Sequence, residues 1–245
     1  MVRLLTKSYM RLAFVAIAAI VILTVWTLQA DTEPPEVDET IVVELDESTQ
    51  IVEEAPVDTA IADVVDTEVG RSLSASCTAC HGNDGNALQA ENSNLAGQNE
   101  KYLFRQLQMI QSEEREIVVM KGLLNAFDDG DLRNIAAYYA SLPGRIGQSN
   151  PEGLEEGEAI YRGGILEKKV AACTACHAPN GNGNMLAGFP RVSGQTVEYT
   201  VAQLKAYREQ ERTTDEDYGG MMRDIAARLT DSEIEALANY MTGLY

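Results

Sequence analysis

Positive charge is scarce in this chain: 19 Lys and Arg stand against 38 Asp and Glu in 245 residues, a formal net charge of −19. Nucleic-acid phosphates are repelled by such a surface, which excludes a nucleic-acid partner and favours docking on basic protein surfaces. Strand patterning is missing too, since no segment alternates apolar and polar residues convincingly with period two. Histidine occurs only twice and cysteine only four times. If the chain builds two centres, each has at most one imidazole.

The charge deficit is local. Residues 31 to 70 hold fourteen Asp and Glu, no Lys or Arg, and Pro34, Pro35 and Pro56, whereas residues 71 to 245 set 24 acids against 16 basic residues. A self-repelling, proline-bearing segment buries too little apolar surface to offset chain entropy. Residues 31–60 are therefore expected to form a disordered acidic linker, with a solvated surface run as the alternative. A free stretch of about 30 residues reaches roughly 30 Å root-mean-square.

Ahead of it, Leu12 to Leu28 runs without a charged residue and follows Arg3, Lys7 and Arg11. Its length suits a membrane span of about 17–25 residues, and the basic flank puts the N-terminus inside. Residues 1–30 are thus expected to be a transmembrane anchor that leaves the remainder on the extracytoplasmic, periplasmic side. A cleaved signal peptide is the alternative, which would leave a soluble periplasmic protein. The exit Leu28-Gln29-Ala30 matches the small-residue cleavage pattern poorly, and Trp26 suits a headgroup-level anchor.

The rest of the chain is a duplication. Cys77-Thr78-Ala79-Cys80-His81 pairs with Cys173-Thr174-Ala175-Cys176-His177 at an offset of 96. LAGQ (Leu95 to Gln98) pairs with VSGQ (Val192 to Gln195), and Tyr102 with Tyr199, at 97; the segment from Asp131 pairs with that from Glu233 at 102. Apolar residues recur at helical spacing in both terminal segments: Leu132, Ile135, Ala136, Tyr139 and Leu142, then Ile234, Leu237, Ala238, Met241 and Leu244. Thr230 and Glu233 have capping-box spacing. Further helices are expected around Ile61 to Ser76, Asn99 to Ser112, Pro151 to Arg162 and Thr196 to Glu211. Pro143, Gly144 and the turn residues Gly147 to Gly153 set a boundary near Asn150, giving domains 61–150 and 151–245.

Both CxxCH motifs have the pattern of covalent c-type haem attachment, in which two thiols bond the porphyrin and the His ligates iron. Thioredoxin-like or zinc-binding CxxC pairs are the competing reading. Together the motifs consume every Cys and His in the chain, leaving nothing for a disulfide or a further imidazole ligand. Cys77, Cys80, Cys173 and Cys176 are therefore candidate attachment points for two covalently bound haem c groups, with His81 and His177 as iron ligands. A second axial ligand must be Met, another group, or nothing, and His/Met ligation raises the potential of a cytochrome c. Of eight Met residues, Met120 and Met222 keep the 102 offset of the terminal helices. Met109 and Met185 have no Met partner in the other half, and Met221 is an adjacent competitor.

CTACHG, LAGQ and YLFRQLQ in the first half, with CTACHAPNGNGN, LAGFPRVSGQ and MMRDIAARL in the second, resemble the two-domain dihaem cytochromes c of the cytochrome c4 type over about Ile61 to Tyr245. The resemblance implies an all-α chain with two tandem class I cytochrome c folds related by a pseudo-twofold axis. It also implies Met120 and Met222 as distal ligands. In such folds a proline carbonyl commonly accepts a hydrogen bond from the ligand His. Placing that proline directly after the motif gives Pro179 in the second half and Asn83 in the first, so the two haems are expected to differ in potential.

The function implied is one-electron transfer, with a quinol-oxidising cytochrome bc1 complex as donor and a cbb3-type terminal oxidase as acceptor. The chain is then not an enzyme. Two alternatives stand beside it: a bound cytochrome subunit of a larger dehydrogenase or oxidase, and a haem enzyme such as a peroxidase, which needs an open iron site and lacks a spare His for distal acid–base work.

Overall fold

A computed structural model describes residues 65–245. The expected anchor, the acidic linker and the start of the first helix at Ile61 lie outside the described residues. Among those described, no helix is long and apolar enough to cross a membrane.

Among the described residues the secondary structure is helical, and the two sequence halves repeat the same order of main helices. In the first half, α1 (Thr67–Leu73) starts at Asp66, whose carboxylate accepts from the amides of Glu68 and Val69. It tightens through a 3-10 turn, Ser74–Cys77, into α2 (Thr78–His81). Then come α3 (Glu100–Gln111), capped by Asn99, and α4 (Asp129–Ser141), opened by an Asp128/Asp131 capping box. The second half supplies α5 (Leu154–Gly163), α6 (Thr174–His177), α7 (Val197–Arg208), α8 (Met221–Ala226) and α9 (Asp231–Thr242). Thr230 and Glu233 close the expected capping box at α9, satisfying backbone donors that would otherwise be orphaned. Only two isolated bridges, Ile165 with Val170 and Asn184 with Phe189, interrupt the helical design among the described residues.

In each half the terminal helix is the hub: α1 and α3 pack on α4, and α5 and α7 pack on α9. The apolar stripe read from the sequence is the buried one. Leu132 and Ile234 are fully enclosed, and Ile135, Ala136, Tyr139, Leu237, Ala238, Met241 and Leu244 are at most 5 % exposed. Each such large side chain contributes about 1.5–3 kcal/mol of burial. Leu142 is half-buried at the helix end.

Both hubs use the same close crossing. A Cβ on Gly70 would collide with the Asn134 carbonyl and reach 2.9 Å from Tyr138 Cβ; one on Gly157 would collide with the Ala236 carbonyl and reach 2.8 Å from Tyr240 Cβ. Asn134 and Tyr138 correspond to Ala236 and Tyr240 at the 102 offset, so the duplicated halves share their helix spacing as well as their motifs.

The halves differ in several elements: the second has a longer connection, bridged at Ile165 and Val170, ahead of its CTACH segment, and α8 where the first has a 3-10 turn at Val118–Met120. Between Arg212 and Met222 the second half has five more residues than the first has between Arg115 and Met120. This extra loop lies on α3 of the first half. Arg105 donates to the Thr214 carbonyl, pairs with Asp217 at 3.4 Å and lies over the Tyr218 ring at 4.7 Å. The Tyr218 hydroxyl then donates to the Ala187 carbonyl at 2.9 Å.

Candidate haem sites

Each CTACH segment winds into a single helical turn, which brings its two thiols and its imidazole onto neighbouring positions of one short element. Cys77 packs against the first-half core around Leu103, Ile135 and Tyr139. Cys173 packs against the second-half core around Ile160, Tyr161 and Leu237. Burial raises the pKa of both thiols, that of Cys173 to about 11. A thiol set against an apolar core in this way is placed to be an uncharged thioether. All four cysteines are free of disulfides, and no group of three or more His, Cys, Asp or Glu that could hold a metal ion is found among the described residues. The donor set of two thiols and one imidazole on one short helical turn fits covalent haem.

Both imidazoles have one nitrogen committed. His81 Nδ1 donates to the Ser93 carbonyl and His177 Nδ1 to the Pro190 carbonyl, each at 2.9 Å. Burial lowers both pKa values, keeping the rings neutral. With Nδ1 carrying the proton, Nε2 offers its lone pair, the tautomer an iron ligand needs. The expected acceptors, Pro179 and Asn83, are corrected here. The chain turns through positive φ directly after each His, at Gly82 and Ala178, and leaves Asn83 and Pro179 exposed. The true acceptors come back beneath the rings twelve and thirteen residues later. Ser93 and Pro190 keep the 97 offset of LAGQ and VSGQ, so the repeat carried the signal.

The candidate Met residues fall in matching places. Met120 ends a 3-10 turn, Val118–Met120, and packs against Ile110, Leu124 and Leu132; Met222 lies in α8 and packs against the same core that receives Cys173. The core around Met120 shares Phe104, Leu107 and Phe127 with the core around Cys77. Of the rivals, Met185 is 69 % exposed in a loop and Met221 is 39 % exposed, whereas Met222 is half-buried. Arg223 holds the Met222 segment: its amide and Nε donate to Asp215 at 3.0 and 2.7 Å, and it also pairs with Glu216.

A set of residues that sequence reasoning missed joins the halves. Arg115 donates across to the Tyr199 hydroxyl (3.1 Å) and Gln203 (3.0 Å), and Arg212 donates back to the Tyr102 hydroxyl (2.8 Å) and Gln106 (2.9 Å). Every pair is related by the 97 offset, so the network has pseudo-twofold form. Burial opposes ionisation of Tyr199, but the two guanidinium groups overcome it and hold its pKa below the ordinary tyrosine value.

A family model described as "Cytochrome c" matches residues 154–244. Cytochrome c4 of Stutzerimonas stutzeri is 44 % identical over 189 residues, covering 74 % of this chain and 90 % of that protein. The chain belongs to the cytochrome c4 family. The crystal structure of reduced recombinant cytochrome c4 from Pseudomonas stutzeri matches with a TM-score of 0.72 at 44 % identity, covering 74 % of this chain and 99 % of the other. A "thiosulfate dehydrogenase electron acceptor" of Thiomonas intermedia (strain K12) is 34 % identical over 171 residues, covering 68 % of this chain and 77 % of its own. As a cytochrome c4, the chain has the helical class I cytochrome c fold, carries two covalently bound haem c groups and is an electron carrier.

Proposed function

We propose that this cytochrome c4 moves single electrons from a cytochrome bc1 complex to a cbb3-type oxidase on the periplasmic side of a bacterial membrane. Cys77 and Cys80 hold one haem and Cys173 and Cys176 the other, in domains 61–150 and 151–245. His81 and Met120 ligate the first iron; His177 and Met222 ligate the second. Residues 1–30 anchor the protein and 31–60 link the anchor to the haem domains, a reading that rests on the sequence alone.

Each haem, when bound, supplies a one-electron ferric/ferrous couple. His81 with Met120, and His177 with Met222, would hold each iron closed to outside ligands, so that little rearrangement would accompany the change of oxidation state. The observation that carries the reading is that each half of the duplication holds a carbonyl-oriented His and a core-packed Met at equivalent places. Carbon monoxide tests it: the visible spectrum of the reduced protein is expected to stay unchanged, and binding at either haem would return an enzyme to consideration.

The Thiomonas relative favours a second reading, in which the electron donor is a sulfur-compound dehydrogenase. Reduction by such a dehydrogenase in preference to a bc1 complex, measured by stopped flow, would decide for it.

A further inference from the structure

The glutamines of the GQ dipeptides that mark the repeat each reach across to the other half, although Gln98 Oε1 also accepts from the neighbouring Asn99 amide at 2.8 Å. Gln195 reaches from the second half to the first, where its Oε1 accepts from the Asn94 amide at 2.9 Å and its Nε2 donates to the Asn94 carbonyl at 2.7 Å. Gln98 reaches the opposite way: its Oε1 accepts from the Arg191 amide at 2.7 Å and its Nε2 donates to the Arg191 carbonyl at 2.8 Å. Both side chains are buried, at 9 % and 6 % exposure. Asn94 and Arg191 are equivalent at the 97 offset, as are the two glutamines.

The amides they bind belong to particular peptide units. The Asn94 N–H and the Ser93 carbonyl are two ends of one planar peptide group, and that carbonyl takes the His81 Nδ1 proton. Likewise the Arg191 N–H and the Pro190 carbonyl share one peptide, and that carbonyl takes the proton of His177. A continuous chain results in each direction, from glutamine oxygen to peptide N–H, and from the carbonyl of that same peptide to imidazole N–H.

We infer that Gln195 and Gln98 are crossed positioning residues: each half's glutamine orients and polarises the peptide that sets the other half's ligand histidine. Hydrogen bonds in series strengthen one another. A glutamine oxygen on the peptide N–H makes its carbonyl a better acceptor, which makes the imidazole a more basic ligand and favours ferric iron. Electron affinity at one haem is thereby tied to the seating of the other half. The inference rests on His81 and His177 being the iron ligands.

Gln195→Met and Gln98→Met remove both hydrogen bonds at nearly constant volume. The assay is a redox titration of protein with both haems in place, each haem followed by its own paramagnetically shifted methyl resonances. Gln195→Met is expected to favour the reduced form of the haem at Cys77 and Cys80 about threefold, or about 28 mV at 59 mV per tenfold, and to leave the other unmoved. Gln98→Met should do the converse. Equal shifts at both haems, a shift in the glutamine's own half, or no shift overturns the inference. In the unaltered protein, slow exchange of the Asn94 and Arg191 amide protons is required as well, and fast exchange overturns it even if a variant does not fold. Loss of a haem, or carbon monoxide binding to the unaltered protein, would instead count against the ligand assignment.

Discussion

Replacing Gly157 by Ala tests the helix crossing on which each haem domain is built. A methyl group there meets the Ala236 carbonyl group, its carbon 2.7 Å away, and Tyr240 Cβ at 2.8 Å. The obstacle is largely backbone, so α5 must move off α9 instead of a side chain swinging aside. Overpacking of this kind costs about 1–3 kcal/mol, and a backbone collision belongs near the upper end. Against that, Ala gains about 0.5–1 kcal/mol over Gly inside a helix. The expected net loss is about 2 kcal/mol. With a slope of about 4 kcal/mol/M in guanidinium chloride, the unfolding midpoint should drop by about 0.5 M. Gly163 in the same helix is the control, because a Cβ there meets nothing within 4 Å. Gly163→Ala should raise the midpoint slightly. Both variants are to be compared at two haems per chain. If Gly157→Ala matches or exceeds the stability of Gly163→Ala, the close crossing does not exist as described.

Met120→Ala and Met222→Ala should each open one iron, so that reduced protein binds carbon monoxide at one haem and keeps the other spectrum unchanged. A redox titration of the unaltered protein should resolve two potentials. The lower should belong to the first half, because His81 is half-buried and Cys80 exposed while His177 is buried, and solvent access favours the charged ferric state. Thr230→Ala should cost about 1 kcal/mol in chemical denaturation through loss of the α9 cap. Glu233 is opposed by burial, yet Lys168, at 2.7 and 2.8 Å, and Thr230 lower its carboxyl pKa below the ordinary 4.5. Its contribution is complete above 4.5 and fades as pH falls through the lower, folded value. Glu233→Gln should therefore destabilise at neutral pH and lose that effect in acid, as midpoints measured across the range will report.

The helices, the duplication and the two CxxCH motifs for covalent haem c were legible in the sequence by itself. Apolar spacing on α4 and α9, the Thr230/Glu233 cap and the CxxCH pairs are local patterns, and local geometry is what periodicity and motif spacing encode. The proposal of Met120 and Met222 as ligands likewise rests on register, since duplicated halves keep equivalent residues at a common offset. What the sequence could not decide was which groups from distant segments meet. Pro179 looked like the histidine's partner because it is near in the chain, yet positive φ at Gly82 and Ala178 turns the backbone outward and brings Ser93 and Pro190 under the rings. The GQ dipeptides were visible as repeats, but their action across the halves depends on the docking of one half against the other. Tertiary packing alone places Gln195 on Asn94 and Gln98 on Arg191, about a hundred residues away, because a buried carboxamide needs partners and the facing peptide groups supply them.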